Sequence, residues 1–260
     1  MKLQTSQGKI NYKLYRNRNK KFITLIGGLG SNISSWDNQI RLYKKHFSIL
    51  VFDNLGSGKS DQPKDPNSME LFAENTIEIL DLLKIKKSHI VGKSMGGMIA
   101  QVLSAKYPRY INKLVLGCTA ASRDNVGKEI IAIAKKIAKN VGLKELWFTA
   151  LMLGYSRDYI IRNFKEYKNT EVLTNKKNLD GYLKQCEAID KLNNIKYLPQ
   201  IKCETLIVYG KNDLIVDVAK SHELAKLIKN TQTISFPGGH GFWKENRDLV
   251  DQEIIEFLIN

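Results

Sequence analysis

The chain has 260 residues, enough for one large domain with a well-buried core, and its 43% hydrophobic and 26% charged residues are ordinary for a soluble globular protein. The formal net charge is +15, yet the lysines occur in pairs and small groups and form no long basic run with interleaved aromatics. This dispersion indicates a solvated surface, so we expect no nucleic-acid partner. No apolar run approaches the roughly 20 residues of a membrane span, so we expect no span.

The three cysteines, Cys118, Cys186 and Cys203, are odd in number and far apart in the sequence. This pattern argues against a disulfide framework and is typical of a reducing compartment. Residues 1–8 contain no apolar stretch, so we expect no signal peptide. Together these features predict a cytoplasmic protein.

Short apolar runs alternate along the chain with longer amphipathic runs, which is the pattern of a βαβ architecture. Residues 9–15 alternate apolar and polar side chains, as an edge strand does. The other strands are nearly all apolar, as parallel strands covered on both faces should be; they are predicted at 22–26, 48–52, 89–92, 114–118, 206–209 and 233–236. Helical periodicity is found at 69–83, 95–107, 218–228 and 249–258. The sequence therefore predicts an α/β fold with a mostly parallel sheet.

Residues 122–192 interrupt this alternation and predict a run of helices. One helix carries an apolar face of isoleucine, alanine and valine between residues 130 and 141. A second carries a stripe that includes Trp147, Phe148, Met152 and Tyr155. Such a stripe is either helix–helix core or the lining of a pocket, and we expect the set to contain some pocket residues.

The stretch Gly92-Lys93-Ser94-Met95-Gly96 lies between an apolar run and a helical run. In that context it predicts a nucleophile elbow, a sharp turn that holds the serine hydroxyl away from the backbone. Glycine at positions 92 and 96 fits this geometry, because a larger side chain would collide where strand and helix meet. We therefore take Ser94 as the candidate nucleophile; the alternative is a loop serine beside glycines.

A serine hydroxyl needs a base that takes its proton and a third group that orients the base. His240 follows the last predicted strand in a glycine-rich loop, and none of the other three histidines has such a position. Asp213 follows the preceding strand. Because ligands bind at the carboxyl ends of parallel strands, we expect both residues at the edge that carries Ser94. Asp217, which we expect to be a helix N-cap, and Asp124 are the competitors for the acid.

The order Ser94, Asp213, His240 is that of the α/β-hydrolases, and the chain resembles this superfamily over nearly its whole length. Five segments carry the resemblance: the elbow, the loops of the acid and the histidine, and residues 27–31 and 53–61, each of which follows an apolar strand. The resemblance implies an α/β-hydrolase fold with about eight strands and a helical cap inserted after the sixth strand. It implies a core domain of residues 1–121 and 193–260 and a cap of residues 122–192.

In this family the oxyanion is bound by two backbone N–H groups, one after the nucleophile and one from the loop after the third strand. The resemblance places these donors at Met95 and Leu29, and the glycines at 27, 28 and 30 allow the loop to bend. The candidate substrate-binding residues are Gly28, Trp147, Phe148, Met152, Tyr155 and Phe242.

The sequence departs from the family pattern at four positions. Gly27 stands where a histidine usually opens the oxyanion loop, and Leu55 stands where an arginine is frequent. Lys93 precedes the nucleophile, where a neutral residue or a histidine is commoner, and Asp217 stands where a proline is frequent. None of these changes removes a catalytic atom.

Residues 56–60, Gly-Ser-Gly-Lys-Ser, resemble a phosphate loop only superficially. A phosphate loop needs a glycine about five residues before Gly58, and Asp53 occupies that position. We predict a structural turn there. No cluster of His, Cys, Asp and Glu has the spacing of metal ligands, so we expect neither a metal nor another cofactor.

The leading hypothesis is a serine hydrolase that cleaves a small carboxylic ester, a lactone or a thioester through an acyl-enzyme intermediate. Residues 28–32 and Trp36 resemble the esterase and enol-lactonase branch of the superfamily. Two alternatives use the same three residues, C–C bond hydrolysis and perhydrolysis. A third is a small-molecule receptor with a slow or vestigial triad, which fold alone cannot distinguish. The expected partner is a small acyl substrate, and a homodimer is left open.

Overall fold

The structure is a computed structural model, and it describes every residue except 19, 65, 66, 171 and 173. Within the described residues, eight strands form one sheet in the order β1-β2-β4-β3-β5-β6-β7-β8. The pairs β1–β2 and β2–β4 are antiparallel, and the remaining neighbours are parallel. The predicted α/β-hydrolase sheet, mostly parallel with flanking helices, is confirmed.

The strands are β1 (Lys2–Thr5), β2 (Gly8–Tyr15), β3 (Phe22–Ile26), β4 (Ser48–Phe52), β5 (Ser88–Lys93), β6 (Ile111–Gly117), β7 (Thr205–Gly210) and β8 (Thr231–Phe236). The helices are α1 (Asp37–Tyr43), α2 (Met69–Leu82), α3 (Met95–Lys106), α4 (Asn125–Asn140), α5 (Leu143–Gly154), α6 (Arg157–Lys168), α7 (Lys176–Asp190), α8 (Val218–Leu227), α9 (Phe242–Glu245) and α10 (Arg247–Ile259). Helices α2, α3, α8 and α10 begin and end within about two residues of the predicted helices, which is the usual uncertainty of helix ends.

Successive residues of the central strands pack into two different hydrophobic clusters. Leu50 and Ile90 belong to the cluster that includes α2 and α3, whereas Val51 and Val91 belong to the cluster that includes α1 and α10. All four side chains have no exposed surface. Because side chains alternate between the faces of a strand, helices cover both faces of the sheet, which explains why these strands are apolar at most positions.

Three elements are absent from the sequence prediction. β1 has four residues, of which only Thr5 is buried, and α1 and α9 have seven and four residues, so none of them carries a clear hydrophobic period. Several strand boundaries also differ by one to three residues, most of all those of β6. β6 begins at Ile111 and ends at Gly117, so Cys118, with a φ of 41°, lies just beyond the strand in which the prediction placed it.

The four helices α4 to α7 lie between β6 and β7, in the segment that the sequence prediction gives to the cap. An isolated antiparallel bridge joins Ser122 to Asn193, so the two ends of the segment meet beside the sheet. Residues 171 and 173 of the segment lie outside the described residues. The division of the chain into a core of 1–121 and 193–260 and a cap of 122–192 stays a prediction.

A buried carboxylate ties α10 to α1 and to the segment after β8. Asp251 is 1% exposed and accepts hydrogen bonds from the Tyr43 hydroxyl at 2.7 Å, from Trp243 Nε1 at 2.9 Å and from Gln39 Nε2 at 2.9 Å. Burial raises the pKa of Asp251, although these three donors oppose that shift. Trp243 follows His240 by three positions, so the network also anchors the chain just beyond this histidine.

The buried histidine of β5 predicts an acid-sensitive core. His89 is 1% exposed, and neither ring nitrogen has a hydrogen-bond partner within the described residues. Burial, assisted by nearby lysines, lowers the pKa of His89 from 6.5 to about 4. As the pH falls from about 6.5 to about 4, His89 binds a proton in the unfolded chain and stays neutral in the folded chain. The free energy of unfolding therefore falls by about 3 kcal/mol.

We expect the free energy of unfolding of His89→Leu to lack this acid-dependent decrease. The measurement is urea unfolding of both proteins between about pH 7 and pH 4. The stability of the parent should then fall more steeply with acid than that of the variant. Parallel curves for the two proteins would contradict a neutral, buried His89.

Candidate active site

The turn between β5 and α3 has the geometry of the predicted elbow. Ser94 connects the two elements with φ 54° and ψ −121°, a backbone conformation that L residues rarely adopt. A Cβ at Gly92 would collide with the carbonyl oxygen of Gly96, and a Cβ at Gly96 would collide with the carbonyl oxygen of Ile26. The prediction that glycine is needed on both sides of the serine is confirmed.

Three side chains from three loops form one hydrogen-bonded chain. His240 Nε2 lies 3.1 Å from Ser94 Oγ, and His240 Nδ1 lies 2.7 Å from Asp213 Oδ2. The Asp213 side chain is 1% exposed and the His240 side chain 16%. With the Nδ1 proton directed at the carboxylate, the lone pair of Nε2 faces the serine hydroxyl, so the imidazole can accept the serine proton.

The loops that carry these residues are held by backbone hydrogen bonds. The other oxygen of Asp213, Oδ1, accepts from the N–H groups of Ile215 at 2.8 Å and Val216 at 2.9 Å, which fixes the carboxylate. The Asn212 N–H donates to the carbonyl of Gly238 at 2.9 Å, so the acid loop after β7 is joined to the histidine loop after β8. All three loops follow the carboxyl ends of parallel strands, where sites form in such sheets.

The competing acidic residues have other partners. Asp217 is the N-cap of α8 and accepts from the Ala219 N–H at 2.7 Å, as the sequence predicts. Asp124 is the N-cap of α4 and accepts from the Gly127 N–H at 2.7 Å. Neither carboxylate is the one that contacts His240.

The loop after β3 packs against the serine. A Cβ at Gly28 would lie 3.2 Å from the Cβ of Ser94, which is tighter than an ordinary contact, so glycine at this position eases the close approach of the loop to the serine. The Gly28 carbonyl accepts from the Ser31 N–H at 3.2 Å and from the Ser31 hydroxyl at 2.9 Å. Within the part of the chain that the structure describes, the backbone N–H groups of Leu29 and Met95 donate to no partner. Both are therefore available as oxyanion donors.

The structure brings some of the candidate substrate-binding residues to the site and others away from it. The ring of Tyr155 lies against Gly241, the residue after His240, where a Cβ would collide with it. Phe242, in contrast, has no exposed surface and stacks on Phe236 in the core, with 5.7 Å between ring centroids. Met152 exposes 65% of its surface to solvent. The placement of Phe242 in the core differs from the sequence prediction, whereas a role of Met152 in substrate binding stays a prediction.

Trp147 and Phe148 belong to an aromatic cluster of the inserted helices. Their ring centroids are 5.3 Å apart, and the Trp147 ring lies 5.9 Å from Tyr167. Tyr155 joins the same cluster through Tyr167, with 5.9 Å between ring centroids. Helix–helix packing therefore explains this stripe, and the cluster reaches the site through Tyr155.

A cavity of about 240 Å³ lies between the start of α4 and the loop after β7. It touches Asp213, and neither Ser94 nor His240 lines it. The other lining residues include Ser122, Arg123, Ile130, Leu214, Ile215 and Lys220. Because the cavity lies on the far side of the acid loop from the serine, its volume sets no bound on the group that reacts at Ser94.

Residues 53–61 form a structural turn, as predicted. The Asp53 carboxylate is buried and accepts from the Ile33 N–H at 2.7 Å, the Lys59 N–H at 2.8 Å and the Asn11 side chain at 2.8 Å. A phosphate is bound by free N–H donors, whereas here the buried carboxylate already accepts from the Lys59 N–H of the loop. The described residues contain no cluster of three His, Cys, Asp or Glu side chains that could hold a metal ion.

The three cysteines are free thiols in the structure. Burial raises the pKa of Cys118 and of Cys186 to about 12 and that of Cys203 to about 11. Thiols with such pKa values stay protonated at neutral pH, so they are poor nucleophiles. Ser94 is the better candidate.

Sequence reasoning missed two polar residues that contact the site. The Thr119 hydroxyl donates to the Ser94 carbonyl at 2.8 Å and so holds the strained turn from the neighbouring strand. Gln185 of α7 accepts from the Gly30 N–H of the oxyanion loop at 2.8 Å. Neither belongs to a motif, and only their placement beside the loops of the site identifies them.

An elbow serine, a histidine and an aspartate at the carboxyl edge of this sheet define a hydrolase-type site of the α/β class. A family profile described as alpha/beta hydrolase fold matches residues 22–143, and a second, described as serine hydrolase, matches residues 162–249. The chain belongs to the α/β-hydrolase superfamily, and these comparisons support hydrolase activity.

Relatives agree with this assignment. The chain is 24% identical to 3-oxoadipate enol-lactonase 2 of Acinetobacter baylyi, over 84% of this chain and 81% of the relative. It is 22% identical to a putative carbamate hydrolase, RutD, of Caulobacter, over 92% and 91% of the two chains. Among solved structures, the enol-lactonase from Burkholderia xenovorans LB400 superposes with a TM-score of 0.91 and 27% identity, and each chain is covered completely.

None of the helices described by the structure combines the length and the apolar character needed to cross a bilayer.

Proposed function

We propose that the protein is a serine hydrolase that cleaves a small carboxylic ester, a lactone or a thioester. The observation that carries the proposal is the hydrogen-bonded chain from Ser94 through His240 to Asp213, with distances of 3.1 Å and 2.7 Å. The strained backbone of Ser94 adds support, because strain of this kind persists only where the surrounding structure imposes it.

In the first half of the reaction, Nε2 of His240 takes the proton of Ser94 Oγ while the oxygen attacks the acyl carbon. Asp213 holds the imidazole tautomer and stabilises the imidazolium that forms. The imidazolium then gives its proton to the leaving alcohol or thiol, and an acyl-serine remains. In the second half, His240 takes a proton from water, hydroxide attacks the acyl group, and the proton returns to Ser94.

The negative charge that develops on the acyl oxygen requires fixed donors. The amides of Leu29 and Met95 are proposed for this role, because neither donates to a partner among the described residues. Met95 follows Ser94, and Leu29 follows Gly28, which packs on the Ser94 side chain. Such donors act mainly in the transition state, and the loss of one typically lowers kcat about 100- to 1000-fold.

The proposed acyl group is small. The aromatic cluster of the inserted helices closes on the histidine loop at Tyr155. We propose that these helices act as the cap of the site and limit the acyl length. A lactone is included among the substrates because the chain is similar to two enol-lactonases.

The test is the turnover of p-nitrophenyl acetate, butyrate and octanoate by the purified protein, together with an enol-lactone and a p-nitrophenyl carbamate. We expect kcat/KM to be largest for a short ester or the lactone and smallest for octanoate. If the protein turns over the carbamate faster than the esters and the lactone, the proposed substrate class changes from an ester to a carbamate. Tight binding of these compounds without any turnover would favour a receptor and would overturn the proposal.

A further inference from the structure

Helix α7, the last of the inserted helices, packs directly on two loops of the site. A Cβ at Gly181 would overlap the carbonyl of Gly56, so helix and loop backbone are in contact there. A Cβ at Gly30 would lie 3.2 Å from the ring of Tyr182, so the next residue of α7 touches the oxyanion loop. One face of α7 therefore rests on both the loop after β3 and the loop after β4.

Gln185 extends from this face into the space between the two loops. It has no exposed surface. Its Oε1 accepts from the Gly30 N–H at 2.8 Å, and its Nε2 donates to the Leu55 carbonyl at 2.9 Å and to Ser57 Oγ at 2.7 Å. These three bonds use the acceptor and both donors of the amide, so the side chain is fixed in one orientation.

The oxyanion loop needs such an anchor because its glycines leave the backbone free to rotate. Gly30 has a φ of 67°, a left-handed conformation that glycine enters and leaves easily. Rotation of the peptide units around Leu29 would turn its N–H away from Ser94. A donor that must reorganise during the reaction loses most of its catalytic value.

Three hydrogen bonds fix the two peptide planes that flank Leu29. The Leu29 N–H shares a plane with the Gly28 carbonyl and points opposite to it, so the bonds from Ser31 to that carbonyl set its direction. The following plane contains the Gly30 N–H, which Gln185 holds. Ser31 acts within the loop, whereas Gln185 joins the loop to α7.

We infer that Gln185 is a positioning residue of the oxyanion loop, through which α7 holds the Leu29 N–H toward the acyl oxygen; the inference rests on the proposed function. Within the described residues, Gln185 itself forms no hydrogen bond with Ser94 or His240. Its contribution should thus appear in the transition state and not in substrate affinity.

The test replaces Gln185 by methionine, which has nearly the same shape and can form none of the three bonds. Gln101→Met is the matched control, since Gln101 is also a glutamine without exposed surface and it bonds to Ala120 and Asn194. Ser57→Ala is the milder second variant, because it removes one acceptor of the Gln185 amide and leaves the core filled.

Three quantities are measured for folded variants: kcat and KM for a p-nitrophenyl ester, the affinity for a trifluoromethyl ketone, and hydrogen exchange of the backbone in residues 27–31. We expect Gln185→Met to lower kcat and ketone affinity by about 10- to 100-fold at nearly constant KM, and to accelerate exchange in the loop. Ser57→Ala should shift the same quantities by a few-fold, and Gln101→Met should change stability only.

The exchange measurement separates the two proposals. A parent protein that hydrolyses none of the esters would overturn the proposed function. Unchanged exchange in residues 27–31 of Gln185→Met, or equal losses of kcat in Gln185→Met and Gln101→Met, would overturn the positioning role. If Gln185→Met does not fold, unchanged kcat and exchange in Ser57→Ala decide against the inference.

Discussion

Ser94→Ala is expected to lower kcat for ester hydrolysis by about a million-fold, because the serine, the histidine and the aspartate act as one unit. The residual rate would come from substrate binding and the oxyanion donors alone. The fold should be retained, since alanine occupies the same backbone conformation and Thr119 still donates to the carbonyl of residue 94. The measurement is the turnover of p-nitrophenyl acetate by both proteins, with the midpoint of thermal unfolding alongside.

Ser104→Ala is the matched control for this prediction. Ser104 lies on α3 behind the elbow, its hydroxyl is buried, and it has no hydrogen-bond partner within the described residues. Its replacement should leave kcat within about two-fold of the parent, as remote changes usually do. Full activity of Ser94→Ala would show that another group is the nucleophile.

Asp213→Asn has the second largest expected effect, a decrease in kcat of about 10,000-fold. The carboxylate accepts on both oxygens, from two backbone N–H groups and from His240. An asparagine amide has only one oxygen, so its NH₂ group must face either the two backbone N–H groups or the His240 ring. If it faces the histidine, it stabilises the tautomer whose Nε2 carries the proton and can no longer accept the serine proton.

Asp217→Asn provides the comparison for this variant. Asp217 is four positions away and caps α8, and asparagine is as good an N-cap as aspartate. We expect its kcat to stay within about two-fold of the parent. Equal losses in both variants, or a larger loss in Asp217→Asn, would contradict the assignment of the acid to Asp213.

The sheet and the three candidate catalytic residues can be predicted from the sequence because each of them follows from a local pattern. Buried parallel strands are apolar at most positions, and the residues that end such strands share one edge of the sheet. Ser94, Asp213 and His240 each follow one of these strands, so their proximity can be deduced without coordinates. The glycines at 92 and 96 add a steric reason that is equally local.

Contacts between distant segments could not be predicted in this way. Gln185 and Gly30 are 155 positions apart, and Gln39 and Asp251 are 212 positions apart, and no periodicity marks any of them. The sequence analysis places Phe242 among the substrate-binding residues, yet the helix that begins there turns its ring into the core. The direction of a side chain after a tight loop depends on packing, which a sequence pattern does not contain.

The most direct test of the account is the intact mass of the protein after exposure to a fluorophosphonate, with Ser94→Ala and Ser104→Ala treated in parallel. The reagent modifies a serine only when a neighbouring base takes its proton. We predict one phosphonyl group on the parent and on Ser104→Ala, and none on Ser94→Ala. An unlabelled parent that is folded, or a labelled Ser94→Ala, would contradict the claim that Ser94 is an activated nucleophile.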